Sequence, residues 1–176
     1  MFVQHGPAAC AYPPPQSFKE TCHGRVPIPD GYHSVTPYLI VDDAARALEF
    51  YKQALGAVEL LRMPAPGGKI GHAEIRIGDS PIMLADESPA MGARSARTIG
   101  GSPVSLMVYV EDVDARVAQA VAAGAKLTRP VANQFYGDRT GGVEDPFGFH
   151  WYLATHIEDV PPDELEKRAA KAMTEM

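Results

Sequence analysis

The stretch TPYLIVDDAARALEFYKQALGA, residues 36–57, decides the fold. Its first part is rich in β-branched and aromatic residues, which favours a strand over residues 34–41. Asp42 and Asp43 are typical N-cap residues, and they predict a helix that ends near Gly56. Apolar residues at spacings of three and four give that helix one core-facing side, formed by Ala44, Ala47, Leu48, Tyr51 and Leu55.

The residues that follow complete one structural unit. Segments 58–63, 72–77 and 80–85 have the composition or the alternation of strands. A Pro-Gly turn at residues 64–68 and a Gly-Asp turn separate them. Residues 32–87 are therefore predicted to form a βαβββ module.

The second half of the chain follows the same plan. SLMVYVEDVDARVAQAVAAGA, residues 105–125, predicts a strand at 104–110 and a helix that ends at Gly124. A further strand is predicted from residue 126 to residue 130, within a second module at 104–157. The predicted apolar face of this helix consists of Val113, Val117, Ala120 and Val121.

Corresponding landmarks recur at a nearly constant separation. The offsets are 69 residues between Val41 and Val110, 68 between Gly56 and Gly124, and 70 between Gly78 and Gly148. Three landmarks that agree within two residues indicate a tandem duplication. The predicted fold class is α+β, with two paired βαβββ modules spanning residues 32–157.

Three segments lie outside the modules. Residues 88–103 join them without a helical or strand period, and a loop of this length is usually functional. It could cover a pocket or permit the modules to swap between two chains. Residues 158–176 predict a C-terminal helix with an apolar stripe, formed by Leu165, Ala169, Ala172 and Met173.

Residues 1–31 contain both cysteines of the chain, Cys10 and Cys22. Three consecutive prolines and the absence of periodicity predict a disordered extension. Together with His5 and His23, the cysteines could alternatively hold zinc. Cysteine chemistry is not expected in the folded part.

Composition excludes several classes of function. The chain has 176 residues, of which 45% are hydrophobic and 22% are charged, as in globular domains. A net charge of −6 offers no basic surface for nucleic acid. No apolar run approaches the roughly 20 residues that span a bilayer, and the first residues do not resemble a signal peptide. We expect a cytoplasmic protein that binds neither nucleic acid nor membrane.

Four segments resemble the vicinal oxygen chelate superfamily, which includes glyoxalase I, extradiol dioxygenases, fosfomycin-resistance enzymes and bleomycin-resistance proteins. They are residues 36–57, HAEIRIGDSPIMLADE at 72–87, residues 105–125 and YGDRTGGVEDPFGFHW at 136–151. The motifs GGSPVSL, YGDR and Ala-Thr-His are most similar to the PhnB-like branch. The resemblance implies the glyoxalase/bleomycin-resistance fold, a cup-shaped mixed sheet built from paired modules, and a homodimer.

Many members of that superfamily hold one divalent metal with four side chains, usually His, Gln or Glu. The resemblance places these positions at Thr36, Leu84, Ser105 and Tyr152 of this chain. None of these side chains is a preferred ligand of a divalent metal. No cofactor is therefore expected.

Strand alternation extends the predicted lining of the cup to Tyr38, Asp86 and Met107. A lining that is mainly apolar with a few polar points suits a small organic ligand. Arg139 has two interpretations: it could bind an anionic ligand, or it could pair with Asp138 or Asp145 to fix the turn.

Three further residues are catalytic candidates. His72 and Glu74 share one strand face, where they could act as an acid and a base or as metal ligands, unless that face simply meets water. The PhnB-like branch commonly has histidine after Gly148, but here Phe149 occupies that place and His150 follows. His150 would complete a His-Glu-His set only if its strand neighboured that of His72.

Three functions follow from these alternatives. The first is binding of a small organic molecule without the usual metal, as in bleomycin-resistance proteins. The second is a metal-dependent lyase, isomerase or dioxygenase with a relocated site at His72, Glu74 and His150. The third is a non-catalytic regulatory or interaction module, since a fold does not fix a function.

Overall fold

A computed structural model describes residues 27–174. The first module contains β1 (Tyr38–Val41), α1 (Ala44–Leu55), β2 (Val58–Pro64), β3 (Ile70–Ile77) and β4 (Ser80–Asp86). The second contains β5 (Ser105–Tyr109), α3 (Val113–Ala122), β6 (Lys126–Asn133), β7 (Asp138–Glu144) and β8 (His150–His156). A short helix α2 (Ala96–Ile99) lies between the modules, and α4 (Pro162–Thr174) follows them.

Each module forms one four-stranded mixed sheet. The strand order is β1-β4-β3-β2 in the N-terminal sheet and β5-β8-β7-β6 in the C-terminal sheet. In each sheet the first pair is parallel and the other pairs are antiparallel. The predicted α+β class and the paired βαβββ modules are confirmed.

The sequence repeat is preserved in the strand register. Tyr38 lies opposite Met83 across the β1–β4 pair, and Met107 lies opposite Tyr152 across the β5–β8 pair. Both members of the second pair come 69 residues after those of the first. Residues 69 positions apart therefore occupy the same place in the strand pairing of their respective sheets.

The predicted apolar face of α1 is buried throughout. In α3, Val113, Val117 and Ala120 are buried, but Val121 is 41% exposed, so its assignment to the core was wrong. Val121 follows Val113 by eight residues, which rotates it about 80° away from the core at 3.6 residues per turn.

One hydrophobic core joins the helix-covered faces of both sheets. Helices α1 and α3 pack against each other, and Tyr51 of α1 contacts the rings of Phe147 and Trp151. Trp151 is 1% exposed. No helix within residues 27–174 covers the opposite face of either sheet; we call these the open faces.

The open faces are defined by strand alternation. The open face of the N-terminal sheet carries Tyr38, Ile40, His72, Glu74, Met83 and Ala85. The open face of the C-terminal sheet carries Ser105, Met107, Tyr109, His150, Tyr152 and Ala154. They present large apolar side chains to solvent, with Tyr38 48%, Met107 47% and Tyr109 63% exposed.

The linker between the modules is more regular than its sequence suggests. It contains a 3-10 turn at Pro89–Met91 and the single helical turn α2. Ser95 caps α2 by accepting a hydrogen bond from the Thr98 amide, at 3.2 Å. The Glu87 carboxylate accepts from the Ser95 amide at 2.9 Å and from the Thr98 hydroxyl at 2.7 Å.

The C-terminal helix α4 begins at Pro162. Arg168 holds it to the preceding segment by bonding both oxygens of Glu158 at 2.8 Å. None of its residues is buried, and Met173 of the predicted stripe is 77% exposed. None of the helices within residues 27–174 is long and apolar enough to cross a membrane.

The alternative zinc site of Cys10, Cys22, His5 and His23 lies outside the described residues. The same is true of most of the extension predicted at 1–31.

Candidate functional site

A chain of hydrogen-bonded side chains crosses the open face of the N-terminal sheet. The Tyr38 hydroxyl lies 2.9 Å from His72 Nδ1, and His72 Nε2 lies 3.1 Å from Glu74 Oε1. Glu74 Oε2 accepts a further hydrogen bond from the Tyr32 hydroxyl. Strand pairing explains the arrangement, because β4 separates β1 from β3 and its small Ala85 leaves room for Tyr38 to reach His72. We call these four residues the tyrosine–histidine–glutamate chain.

The electrostatics of this chain favour an ionised Glu74. Hydrogen bonds from Tyr32 and then His72 lower the pKa of Glu74 below its ordinary value. The same bond to Glu74 raises the pKa of Tyr32 to about 12. Burial raises the pKa of Tyr38. The tyrosines are therefore neutral at physiological pH, and Glu74 carries the charge.

Two clefts adjoin the tyrosine–histidine–glutamate chain. The first, which we call the β1–β4 cleft, has a volume of about 540 Å³. Its lining includes Tyr38, Ile40, Ala65, Lys69, Ala85 and Met91. The second has a volume of about 510 Å³, and its lining includes Tyr32, Thr36, Glu74 and Met83. The predicted site residues Tyr38, His72 and Glu74 thus come together on one sheet, and Thr36, which precedes β1, lines the second cleft.

Asp86, a predicted lining residue, borders the β1–β4 cleft but is committed to the fold. Its carboxylate accepts from the Ala44 amide at 3.0 Å, which satisfies a free donor at the start of α1. It also accepts from the Ile70 amide at 2.6 Å. Lys69 Nζ lies 3.6 Å from the same carboxylate, so a cation stands at the edge of the cleft.

Leu84 does not line the open face. It is fully buried in the core on the face that α1 covers. The 69-residue offset applied to Tyr152 leads to Met83. The placement of this predicted position at Leu84 was therefore wrong by one residue. A slip of one residue moves a strand side chain to the opposite face.

The other candidate residues lie on the C-terminal sheet, apart from this group. Ser105, Met107 and Tyr152 occupy its open face, where the Arg129 guanidinium lies 5.6 Å from the centre of the Tyr152 ring. His150 lies beside Ser105 on β8, whereas His72 lies on β3 of the other sheet. Within one chain, His150 therefore does not complete a His-Glu-His set.

Arg139 has a structural role with a partner that sequence reasoning missed. It forms a bidentate pair with Asp114 of α3, with distances of 2.6 and 2.7 Å, and its Nη1 donates to Asn133 at 2.8 Å. It pairs with neither Asp138 nor Asp145. Asp138 points to the other face of β7, and Asp145 is bonded by Tyr51, Trp151 and two backbone amides instead. This fork occupies the donors that a ligand anion would need.

A second polar cluster lies at the end of the C-terminal sheet and was missed. Asp138, which is 5% exposed, accepts from Tyr109 at 2.9 Å and pairs with His156 Nδ1 at 2.7 Å. The other ring nitrogen of His156 lies 3.1 Å from Asp159. Asp138 and His156 belong to the YGDR and Ala-Thr-His motifs, but no spacing rule connects residues 18 positions apart.

This cluster predicts a pH dependence of stability. Hydrogen bonds to Asp138 and Asp159 raise the pKa of His156 above its ordinary value of 6.5. Its stabilising contribution is therefore fully present below about pH 6.5 and is lost as the pH rises through the raised value. We expect His156→Gln to remove this part of the pH dependence of the urea unfolding midpoint. Asp159→Asn should remove only part of it, and an unchanged pH profile in both variants would contradict the assignment.

Comparison with known proteins agrees with this architecture. A family model of the Glyoxalase/Bleomycin resistance protein/Dioxygenase superfamily matches residues 31–153. The chain belongs to this superfamily. An uncharacterized protein of Mycobacterium bovis is 43% identical to this chain over 136 residues, which cover 76% of this chain and 90% of that protein.

Solved structures of the superfamily's fold are also similar. TioX from Micromonospora sp. ML1 is 26% identical, with 73% of this chain and 100% of that chain covered and a TM-score of 0.56. A gene product of Arabidopsis thaliana is 28% identical, with 70% and 98% covered and a TM-score of 0.56. The fosfomycin resistance protein FosX from Listeria monocytogenes has a TM-score of 0.54 at 14% identity, a likeness in fold alone.

The metal site implied by the superfamily does not fit this chain. Of the four positions, Thr36 and Ser105 supply only hydroxyls. Leu84 lies in the core, and Met83, which takes its place on the open face, supplies a thioether. Tyr152 supplies a phenol side chain beneath Arg129. Within residues 27–174, no group of three or more His, Cys, Asp or Glu side chains is arranged to hold a metal ion. We derive no chemistry through a metal at these positions.

Proposed function

We propose that the protein binds a small organic molecule in the β1–β4 cleft, without the metal site of its superfamily. The observation that carries this proposal is that Tyr38, one end of the tyrosine–histidine–glutamate chain, lies at the wall of an apolar cleft of about 540 Å³. Ligand pockets of this size are mainly apolar, with a few polar groups that orient the ligand. Ile40, Ala65 and Ala85 supply the apolar area here, and Tyr38 supplies the polar point.

The linker supports the proposal because it forms part of the cleft. Ser88 and Ala93 pair as an isolated β-bridge, and the turn between them carries Met91 to the cleft wall. Met91 is 86% exposed, so it is available to cover a ligand. Methionine adapts its shape to varied apolar partners.

A homodimer is part of the proposal. Both open faces expose apolar side chains, including Met63 at 50% and Tyr109 at 63%. Contact between such faces of two chains would bury this surface and enclose the cleft. Light scattering should then give twice 18.9 kDa, and a single-chain mass would contradict this part. Assignment to the PhnB-like branch and to the cytoplasm likewise remains a proposal.

The binding proposal is tested by nuclear magnetic resonance with a library of small aromatic fragments. We expect fragments to shift the amide signals of Ile40, Gly71 and Ala85. Ala85→Leu adds three carbon atoms at the cleft wall and should weaken binding at least tenfold, whereas Met107→Leu on the other sheet should not. Shifts confined to the C-terminal sheet, or equal binding by both variants, would reject the cleft as the site.

A further inference from the structure

We infer that the ligand of the β1–β4 cleft carries a phenolic or enolic hydroxyl, whose hydrogen the Tyr38 oxygen accepts. This inference rests on the proposed function and adds the chemical class of the ligand. It follows from the direction of each hydrogen bond in the tyrosine–histidine–glutamate chain.

Glu74 fixes the direction at one end. An ionised carboxylate has no hydrogen, so both of its oxygens can only accept. Tyr32 donates to Oε2, and the group facing Oε1 is His72 Nε2 at 3.1 Å. That nitrogen must therefore carry a hydrogen, because a bare nitrogen facing a carboxylate would set two lone pairs against each other.

This tautomer determines what Tyr38 does. A neutral imidazole with hydrogen on Nε2 has only a lone pair on Nδ1. Nδ1 lies 2.9 Å from the Tyr38 hydroxyl, so Tyr38 donates to it when the ring is neutral. Its one hydrogen is then used, and its oxygen keeps free lone pairs. With 48% of its surface exposed, Tyr38 offers the cleft an acceptor and no donor.

The other polar groups of the cleft agree with this selectivity. Glu87 and Asp86 are carboxylates, and hydrogen bonds within the protein already occupy them. Lys69 is the cation among the lining residues, and its ammonium lies 3.6 Å from Asp86. A ligand therefore meets an acceptor at Tyr38, together with the Ser88 hydroxyl and the Lys69 cation. Hydroxyaromatic compounds and enols meet the first requirement while filling the apolar space.

A matched pair of ligands tests this inference. β-Naphthol and its methyl ether have the same aromatic body, but only the naphthol has a hydroxyl hydrogen. We expect the wild-type protein at neutral pH to bind the naphthol about fivefold to tenfold more tightly, as one net hydrogen bond predicts. Fluorescence titration measures both affinities.

Three variants separate the inference from the binding proposal. Tyr38→Phe should bind both compounds with equal affinity, while its affinity for the ether stays unchanged. His72→Leu should reduce the preference, because Tyr38 then regains a free hydrogen. Tyr109→Phe removes an exposed hydroxyl from the other sheet and should keep the full preference.

The outcomes are distinguishable. Equal affinities for the two compounds in the wild type would overturn the inference, yet binding of the ether in the cleft would still support the proposed function. Loss of preference in Tyr109→Phe would also overturn it. If neither compound binds, both the inference and the proposed function are contradicted.

Discussion

Replacing Asp145 with alanine is expected to lower the free energy of unfolding by about 3–5 kcal/mol. The carboxylate is 3% exposed and accepts four hydrogen bonds. The donors are the Tyr51 hydroxyl at 2.8 Å, the Trp151 indole at 2.9 Å, and the amides of Phe147 and Phe149 at 2.8 and 2.9 Å. Alanine would leave buried donors without a partner where α1 meets the second module.

The four hydrogen bonds stabilise the charged form of Asp145 in the core. Burial raises the pKa of Asp145, and the hydrogen bonds from Trp151, Phe149, Tyr51 and Phe147 oppose that rise. Without them, a charge in the core would be strongly unfavourable.

Urea denaturation at neutral pH measures the loss, and two milder variants serve as controls. Asp145→Asn keeps the size but presents an amide hydrogen toward one pair of donors, so it should fall between alanine and the wild type. Tyr51→Phe removes one donor and should cost only about 1 kcal/mol. A loss below about 1 kcal/mol in Asp145→Ala would contradict the assigned role.

Gly137→Ala is expected to destabilise the protein by about 2–4 kcal/mol. Gly137 has φ of +97°, a conformation in which a side chain is strained. An added Cβ would also collide with the backbone oxygen of Glu158. The carbonyl of Gly137 accepts from the amides of Ile157 and Glu158 at 2.9 and 3.0 Å, so the collision would displace the segment that leads to α4.

Gly78 provides the matched control for this substitution. It also has a positive φ, +59°, but no atom lies within 4 Å of the site of an added Cβ. Gly78→Ala should therefore show backbone strain alone, about 1–2 kcal/mol. Thermal unfolding compares the two variants, and equal losses would show that the contact with Glu158 has no effect.

Local patterns predicted the modules because their causes are local. Asp43 accepts from the Arg46 amide at 3.0 Å, and Gly56 adopts the left-handed conformation that ends α1. The same patterns gave wrong predictions for the strand face of one residue and for the ion-pair partner of another. Leu84 was assigned to the cup through a slip of one residue, and Arg139 was assigned partners near in sequence although Asp114 lies 25 residues away.

The candidate site shows a similar division. Alternation along β3 places His72 and Glu74 on one face, and it does so from the sequence alone. Neither Tyr38 nor Tyr32 could be connected to them, because those contacts span 34 and 42 residues and depend on the order of strands in the sheet.

By itself, the sequence determined the duplication, the α+β class and the helix ends. These depend on residue types and on periodicities of 2 and 3.6 residues. Only the tertiary structure decided that His150 lies on a different sheet from His72, that Asp138 meets His156, and that Tyr38 completes the chain at the β1–β4 cleft. The physical reason is that strand order and the packing of two modules bring together residues whose separation along the chain carries no periodic signal.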